Sequence, residues 1–308
     1  MIAAPIVAGC SSASGTHGNL VSPSSPSNQD PSPSAFAKVL VDGAQMAYEC
    51  HGVGSPTIIA EAGYDTGGTT AFAGLLEELS AVSRVCTYDR FGTGNSDLRP
   101  TALTEGLTSD DQARELHDLL DTARIERPYV VVAHSYGGIV ARLFAADFPA
   151  EVQGLVLIES SHEDEVAAYR RYYGDDPEGD WVDGGDLLDM HAATDLLRSR
   201  ARDYGDLPLV VIRAETYEDV LSEGLWRRTQ ADLATLSTDG MLIEALDAGH
   251  FVIDENPDVV VAATDAVVGA ARTGDPLPPC GEVIAGVDAR CPHPDRRTRP
   301  SAPYHWAS

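Results

Sequence analysis

The sequence predicts an α/β domain on a mostly parallel, doubly wound sheet, with a helical segment inserted in its second half. Three observations carry that expectation. Short Val/Ile/Leu-rich runs alternate with helical patterns from about residue 36 to residue 273. The runs are unbroken apolar stretches, the pattern of strands covered on both faces. One of them, Tyr129–Ala133, passes straight into a helix through Ala133-His134-Ser135-Tyr136-Gly137, a turn with small residues two positions either side of a serine.

The elements follow in order. Lys38–Val41 and Gln45–Cys50 read as a hairpin turning at Asp42-Gly43. Thr57–Ala60 and Arg84–Tyr88 are buried strands that end at Glu61-Ala62-Gly63 and Asp89-Arg90. Leu107–Ala123 is a helix, with Ser109 and Gln112 at capping-box spacing and Ala113, Leu116, Leu119 and Leu120 on one apolar face. A helix over Tyr136–Asp147 follows the Tyr129–Ala133 strand. Gly154–Ile158, Leu209–Ile212 and Leu242–Ala245 are further strands, and Pro257–Ala271 is the closing helix. Between Ser160 and Asp206 the alternation stops. This stretch holds 13 acids and 5 arginines, with Tyr169, Tyr172, Tyr173 and Trp181 interspersed among Leu187, Leu188, Leu196 and Leu197. A long insertion in a compact domain is expected to serve function, so it is predicted to be a cap over about 160–206.

Length alone, 308 residues, suggests about two domains, but both ends differ from the middle. Residues 11–35 hold nine Ser and four Pro and read as a disordered tether, and 274–308 is a Pro-rich tail. The folded part is therefore expected to be one domain over 36–273. The recurrent apolar runs exclude a disordered chain, and the lack of a run of about 20 apolar residues excludes a membrane-spanning helix. With 21 basic and 48 acidic residues the formal net charge is −27, which repels phosphate backbones and makes nucleic acid an unsuitable partner. Neither C-x-x-C nor H-E-x-x-H occurs, so neither a metal nor a cofactor is expected.

The turn around Ser135 is the most informative stretch. A serine there sits in a strained backbone conformation, lifted out of the sheet and close to the N-terminus of the next helix, where unpaired N–H groups favour negative charge. Small-x-Ser-x-Gly between a strand and a helix resembles the nucleophile elbow of the α/β-hydrolase superfamily, with Ala133 in place of the first glycine of G-x-S-x-G. The resemblance extends over nearly all of 36–273, and includes the Y-D-R-x-G-x-G-x-S turn at Tyr88–Ser96, whose role is structural.

The resemblance implies a catalytic triad and an oxyanion hole. Ser135 is the nucleophile. Among nine histidines, His250 stands in Asp247-Ala248-Gly249-His250-Phe251, after the last strand and before the closing helix, where the family places its base. Two carboxylates compete for the third position. Glu159 ends the Gly154–Ile158 strand and is preferred; Glu215 follows Leu209–Ile212 and is the alternative. The backbone N–H groups of Tyr64 and Tyr136 would form the oxyanion hole. In this fold the strands carrying Cys50 and Cys86 are neighbours, so these cysteines are expected to bridge; Cys280 and Cys291, close in sequence, are expected to staple the tail.

At the other end, Val7-Ala8-Gly9-Cys10 resembles a bacterial lipobox, with Cys10 as the lipidated residue and 1–10 as the remnant of a signal peptide. No Lys or Arg precedes the apolar run, so a basic leader is expected upstream. Together these readings describe an exported lipoprotein, held at the cell envelope through Cys10 or secreted without the anchor. Its expected activity is hydrolysis of an ester-like small-molecule acyl substrate through an acyl-enzyme. Two alternatives stay open: a cofactor-free haloperoxidase-like perhydrolysis, and a non-catalytic ligand-binding lipoprotein on the same scaffold.

Overall fold

The computed structural model describes residues 36–100, 106–165, 182–201, 203–217 and 220–292. Cys10, the Ser/Pro tether, Tyr169, Tyr172, Tyr173 and Trp181 of the insertion, and the tail beyond 292 lie outside those residues.

The chain opens with the expected hairpin, β1 (Ala37–Val41) and β2 (Ala44–His51). Asp42 and Gly43 both take positive φ, 46° and 94°, the geometry that matches the twist of a two-residue hairpin. β3 (Thr57–Glu61) follows, then a short helix α1 (Gly68–Ala71), a single 3-10 turn, α2 (Leu76–Val82) and β4 (Val85–Tyr88). Next come α3 (Ser109–Thr122), β5 (Tyr129–His134), α4 (Gly137–Asp147) and β6 (Val152–Ile158). The inserted stretch shows a two-stranded ribbon, β7 (Val182–Asp183) with β8 (Asp186–Leu187), and α5 (Met190–Arg200). β9 (Leu209–Ala214), α6 (Val220–Leu233) and β10 (Gly240–Ala245) resume the alternation. α7 (Val252–Glu255), α8 (Pro257–Thr273), α9 (Cys280–Val283) and β11 (Ala289–Arg290) complete the described chain.

Nine strands form one sheet in the order β1-β2-β4-β3-β5-β6-β9-β10-β11. From β4 through β10 neighbouring strands are parallel, while β1, β2 and β11 run antiparallel at the edges. Alternate strand residues feed two cores, because successive side chains point to opposite faces. Val131, Leu155, Leu157 and Val211 pack with α3, α4 and α5. Val130, Val132, Val156 and Ile212 pack with α2 and α8. Both faces being dry is why these strands read as continuous apolar runs.

Four features depart from the sequence-based expectation or extend it. The capping box of α3 is Thr108 with Asp111 rather than Ser109 with Gln112: the Asp111 N–H donates to Thr108 Oγ1 at 3.2 Å and the Thr108 N–H to Asp111 Oδ2 at 3.0 Å. Both pairs have the right spacing, but Ser109 and Gln112 are turned inward, where they bond the Tyr136 hydroxyl. The insertion is not wholly external, since Ala193 and Leu197 of α5 are fully buried in the core beneath α4. The chain past Thr273 continues the sheet, with β11 pairing beside β10. Finally α2 and α6 carry no pattern strong enough to have been placed from sequence.

Both cysteine pairs are bridged. Cys50 and Cys86 face each other across β2 and β4, and Cys280 joins Cys291 around the turn that delivers β11.

The cap assignment can be checked directly. Thr108→Ala removes one acceptor for an orphan helix N–H and is expected to lower unfolding free energy by about 1 kcal/mol in urea titrations; an unchanged midpoint would place the cap elsewhere.

Candidate active site

The site is built at the carboxyl ends of the central strands, where β5 meets α4. Ser135 has φ of +53°, a left-handed conformation unfavourable for a residue with a Cβ. Neighbouring backbone holds it there: the Ser135 N–H donates to Ile158 O at 2.9 Å, and Ser135 O accepts from Ser161 N at 3.0 Å. The following helix starts hard against β3 and the end of β6. A Cβ on Gly137 would lie 2.3 Å from Ala62 O, and one on Gly138 would lie 1.9 Å from Ser160 Oγ. This close approach is the physical reason for two glycines immediately after Ser135-Tyr136.

His250 Nε2 lies 3.0 Å from Ser135 Oγ, a hydrogen-bonding distance. Its other ring nitrogen, Nδ1, is 3.5 Å from Glu159 Oε2, a long contact. Glu159 directly follows β6, with φ of +44° and no exposed surface. Its Oε1 accepts from Ala214 N–H at 2.7 Å and from the Tyr217 hydroxyl at 3.0 Å. Burial, reinforced by the adjacent Glu159 carboxylate, raises the Tyr217 phenol far above its ordinary range, so it stays a donor.

Glu215, the alternative acid, is engaged elsewhere. Its Oε2 accepts from Asp247 N–H at 3.0 Å and its Oε1 pairs with Arg290 at 3.2 Å. It braces the loop leading to His250 from one side and does not meet the imidazole. The strand it follows lies one position further from β5 than β6 does, which is why Glu159 and not Glu215 reaches the ring.

The two proposed oxyanion donors flank the serine. Tyr136 caps α4, and its side chain is buried with the hydroxyl on Gln112 Oε1 at 2.6 Å. Tyr64 follows Gly63, whose backbone passes close to Ser135: a Cβ at Gly63 would lie 3.5 Å from Ser135 Cβ and 3.3 Å from His134 Nδ1. The Tyr88–Ser96 turn is tied together through one of its own carboxylates. Asp89 within it accepts from Thr69 N at 3.0 Å and Asn95 N at 2.7 Å.

Trp226 and His134 also line this site. Trp226 of α6 sets its ring 5.5 Å from that of His250, and the Phe251 ring also lies 5.5 Å from it; no local pattern marks a tryptophan so far along the chain as a site residue. His134, next to Ser135 in the chain, also meets the histidine loop: its Nε2 lies 2.8 Å from the His250 carbonyl and so donates to it. Burial, helped by repulsion from His250, lowers its pKa to about 4, so it is a neutral, fixed donor at ordinary pH. Among the described residues no group of His, Cys, Asp or Glu has metal-site geometry.

Residues 50–179 match a family model described as the alpha/beta hydrolase fold. The uncharacterized protein YqjL of Bacillus subtilis is 28% identical over 227 residues, which cover 72% of this chain and 87% of that one. RutD of Yersinia enterocolitica, whose name assigns it carbamate hydrolysis provisionally, is 39% identical over 121 residues, covering 37% of this chain and 41% of its own length. A solved thermophilic esterase from Thermogutta terrifontis superposes with a TM-score of 0.56 at 20% identity, covering 78% of this chain and all of that one. The match to the family model and the likeness to the solved esterase show that this chain has the α/β-hydrolase fold.

The depressed His134 pKa has a pH signature. Between about pH 6.5 and about 4 the unfolded chain protonates this residue and the folded one does not. Its stability contribution is whole above pH 6.5 and is lost as pH falls toward 4, by on the order of 3 kcal/mol. Urea unfolding of His134→Gln across this window is expected to show a shallower loss than the wild type; identical slopes would contradict it.

Proposed function

We propose that the protein is a serine hydrolase that cleaves an ester-like small-molecule substrate, a carboxylic ester or lactone, through an acyl-enzyme. The observation that supports this most is the 3.0 Å approach of His250 Nε2 to Ser135 Oγ on a left-handed turn. In the first half-reaction His250 takes the Ser135 proton as Oγ attacks the carbonyl carbon. The tetrahedral oxyanion is met by the Tyr64 and Tyr136 amides, and His250 returns the proton to the departing alkoxide. Water then attacks the acyl-serine with His250 again as base, releasing the acid and restoring the hydroxyl. Glu159 keeps the imidazole in the tautomer that leaves Nε2 free to accept, and it stabilises the imidazolium. Serine in place of an aspartate nucleophile argues against dehalogenation or epoxide opening.

The lipobox-like Val7–Cys10 and the two bridged cysteine pairs favour an exported protein anchored through Cys10, since disulfides persist in oxidising compartments.

A fluorophosphonate probe tests the activity and the acid together. Wild type is expected to label at Ser135, and Ser135→Ala not at all. Glu159→Gln is expected to slow labelling by about 10³-fold or more, whereas Glu215→Gln, which loosens only a brace, slows it by less than about tenfold. Labelling that survives in Ser135→Ala, or a larger loss in Glu215→Gln than in Glu159→Gln, would refute the assignment.

A further inference from the structure

The Tyr64 amide is half of a peptide unit whose other half is the Gly63 carbonyl. A trans peptide is planar, with its N–H directed opposite its C=O, so whatever holds the carbonyl also aims the amide. Here the holder is a buried guanidinium. Arg90 NH2 donates to Gly63 O at 2.5 Å and NH1 to Ala62 O at 3.0 Å. The next peptide is fixed from the same place, since the Asp65 N–H donates to Asp183 Oδ1 at 2.6 Å. Asp183 in turn grips Arg90 with both oxygens, Oδ2 to Nε at 2.8 Å and Oδ1 to NH2 at 2.9 Å, and its Oδ2 also accepts from Gln112 Nε2 at 2.7 Å. Glu61 Oε1 takes the remaining Arg90 NH1 bond at 2.6 Å. Three consecutive peptide units, 62–63, 63–64 and 64–65, are thereby clamped by one ion pair.

Asp183 lies in β7, 93 residues from Arg90 in sequence, so the clamp joins the inserted segment to the loop after β3. Arg90 is 2% exposed, Asp183 1% and Glu61 0%. Burial alone would raise the Asp183 carboxyl, but the Arg90 guanidinium overrides it and holds the group below its usual range. Three buried charges are poor stabilisers, because desolvation consumes most of their attraction. Their arrangement is better matched to orienting one amide.

We propose that Arg90 and Asp183 are positioning residues for the reaction: Asp183 holds the Arg90 guanidinium on the Gly63 carbonyl, and this aims the Tyr64 N–H at the developing oxyanion. This rests on the serine-hydrolase reading above. The cation does two things. It fixes the peptide plane, so no reorganisation is needed as charge develops. It also polarises the unit, making the N–H a stronger donor through hydrogen-bond cooperativity. The inserted segment thus contributes to the chemistry through its carboxylate, besides any part it takes in shaping a pocket.

The test uses the full chain with p-nitrophenyl acetate as substrate and an alkyl trifluoromethyl ketone as probe, whose hemiketal with Ser135 places a charged oxygen in the oxyanion hole. Asp183→Asn and Arg90→Lys are expected to lower kcat by about 10- to 100-fold with KM within about threefold, and to weaken ketone binding by the same factor as kcat/KM. The shape of the pH–rate profile is expected to be unchanged in these variants. Asp183→Glu, which keeps the charge but displaces the carboxylate from Arg90, should shift the same two quantities in the same direction by a smaller factor and keeps the test open if Asp183→Asn does not fold. A variant that melts earlier yet keeps kcat and ketone affinity, or one in which KM alone rises, overturns the proposal and leaves a purely structural ion pair. Failure of the wild type to label at Ser135 would instead strike the hydrolase reading itself.

Discussion

Ser135 is held at a positive φ by backbone on three sides: Ile158 and Ser161 through hydrogen bonds, and Ala62 through the close approach of Gly137. Holding a side-chain-bearing residue in the left-handed region costs on the order of 1–3 kcal/mol, and it persists only where the surroundings over-determine it. Here β3, β6 and α4 all converge on one turn. The strain serves geometry, because it lifts Oγ clear of the sheet and sets it within 3.0 Å of an imidazole delivered from 115 residues away.

The other groups at the site inherit their positions from the same sheet. Glu159 leaves the tip of β6, the immediate neighbour of β5, and is itself kinked to φ +44° so that its carboxylate turns toward His250. The Ala214 amide and the Tyr217 hydroxyl secure its far oxygen. The loop bearing His250 is anchored at several points: Glu215 on Asp247, the Ala248 carbonyl on the Glu215 and Thr216 amides, and the His134 ring on the His250 carbonyl. Disulfide Cys280–Cys291 closes the turn that brings β11 alongside β10, and Asn256 Nδ2 ties Leu246 O and Asp288 O together at the base of the loop. The imidazole is thus carried on a short segment whose backbone is bonded on both sides.

The parts legible in the sequence are those in which local chemistry and global fold demand the same residues. Asp42-Gly43 announces a tight hairpin because few other pairs accept two positive φ values. Val130 to Ala133 read as a buried parallel strand because both faces are covered. Ser135 was legible because the turn tolerates only small flanks. The capping box of α3 was misplaced by one residue for an instructive reason: Thr108/Asp111 and Ser109/Gln112 have equal spacing, and only the inward bonds of Ser109 and Gln112 to Tyr136 separate them. Trp226 and Asp183 carry no local signature, since each matters only through what it meets.

The sequence by itself determined the sheet, the strained turn and two side chains that meet there, Ser135 and His250, because apolar periodicity and steric demand act over a few residues and leave a pattern in them. Tertiary structure alone put Glu159 and not Glu215 against the His250 ring, set the His134 ring on the His250 carbonyl, and brought Asp183 to Arg90. Those are choices between chemically equivalent groups. They are settled by distance across a packed sheet, which no window of neighbouring residues contains.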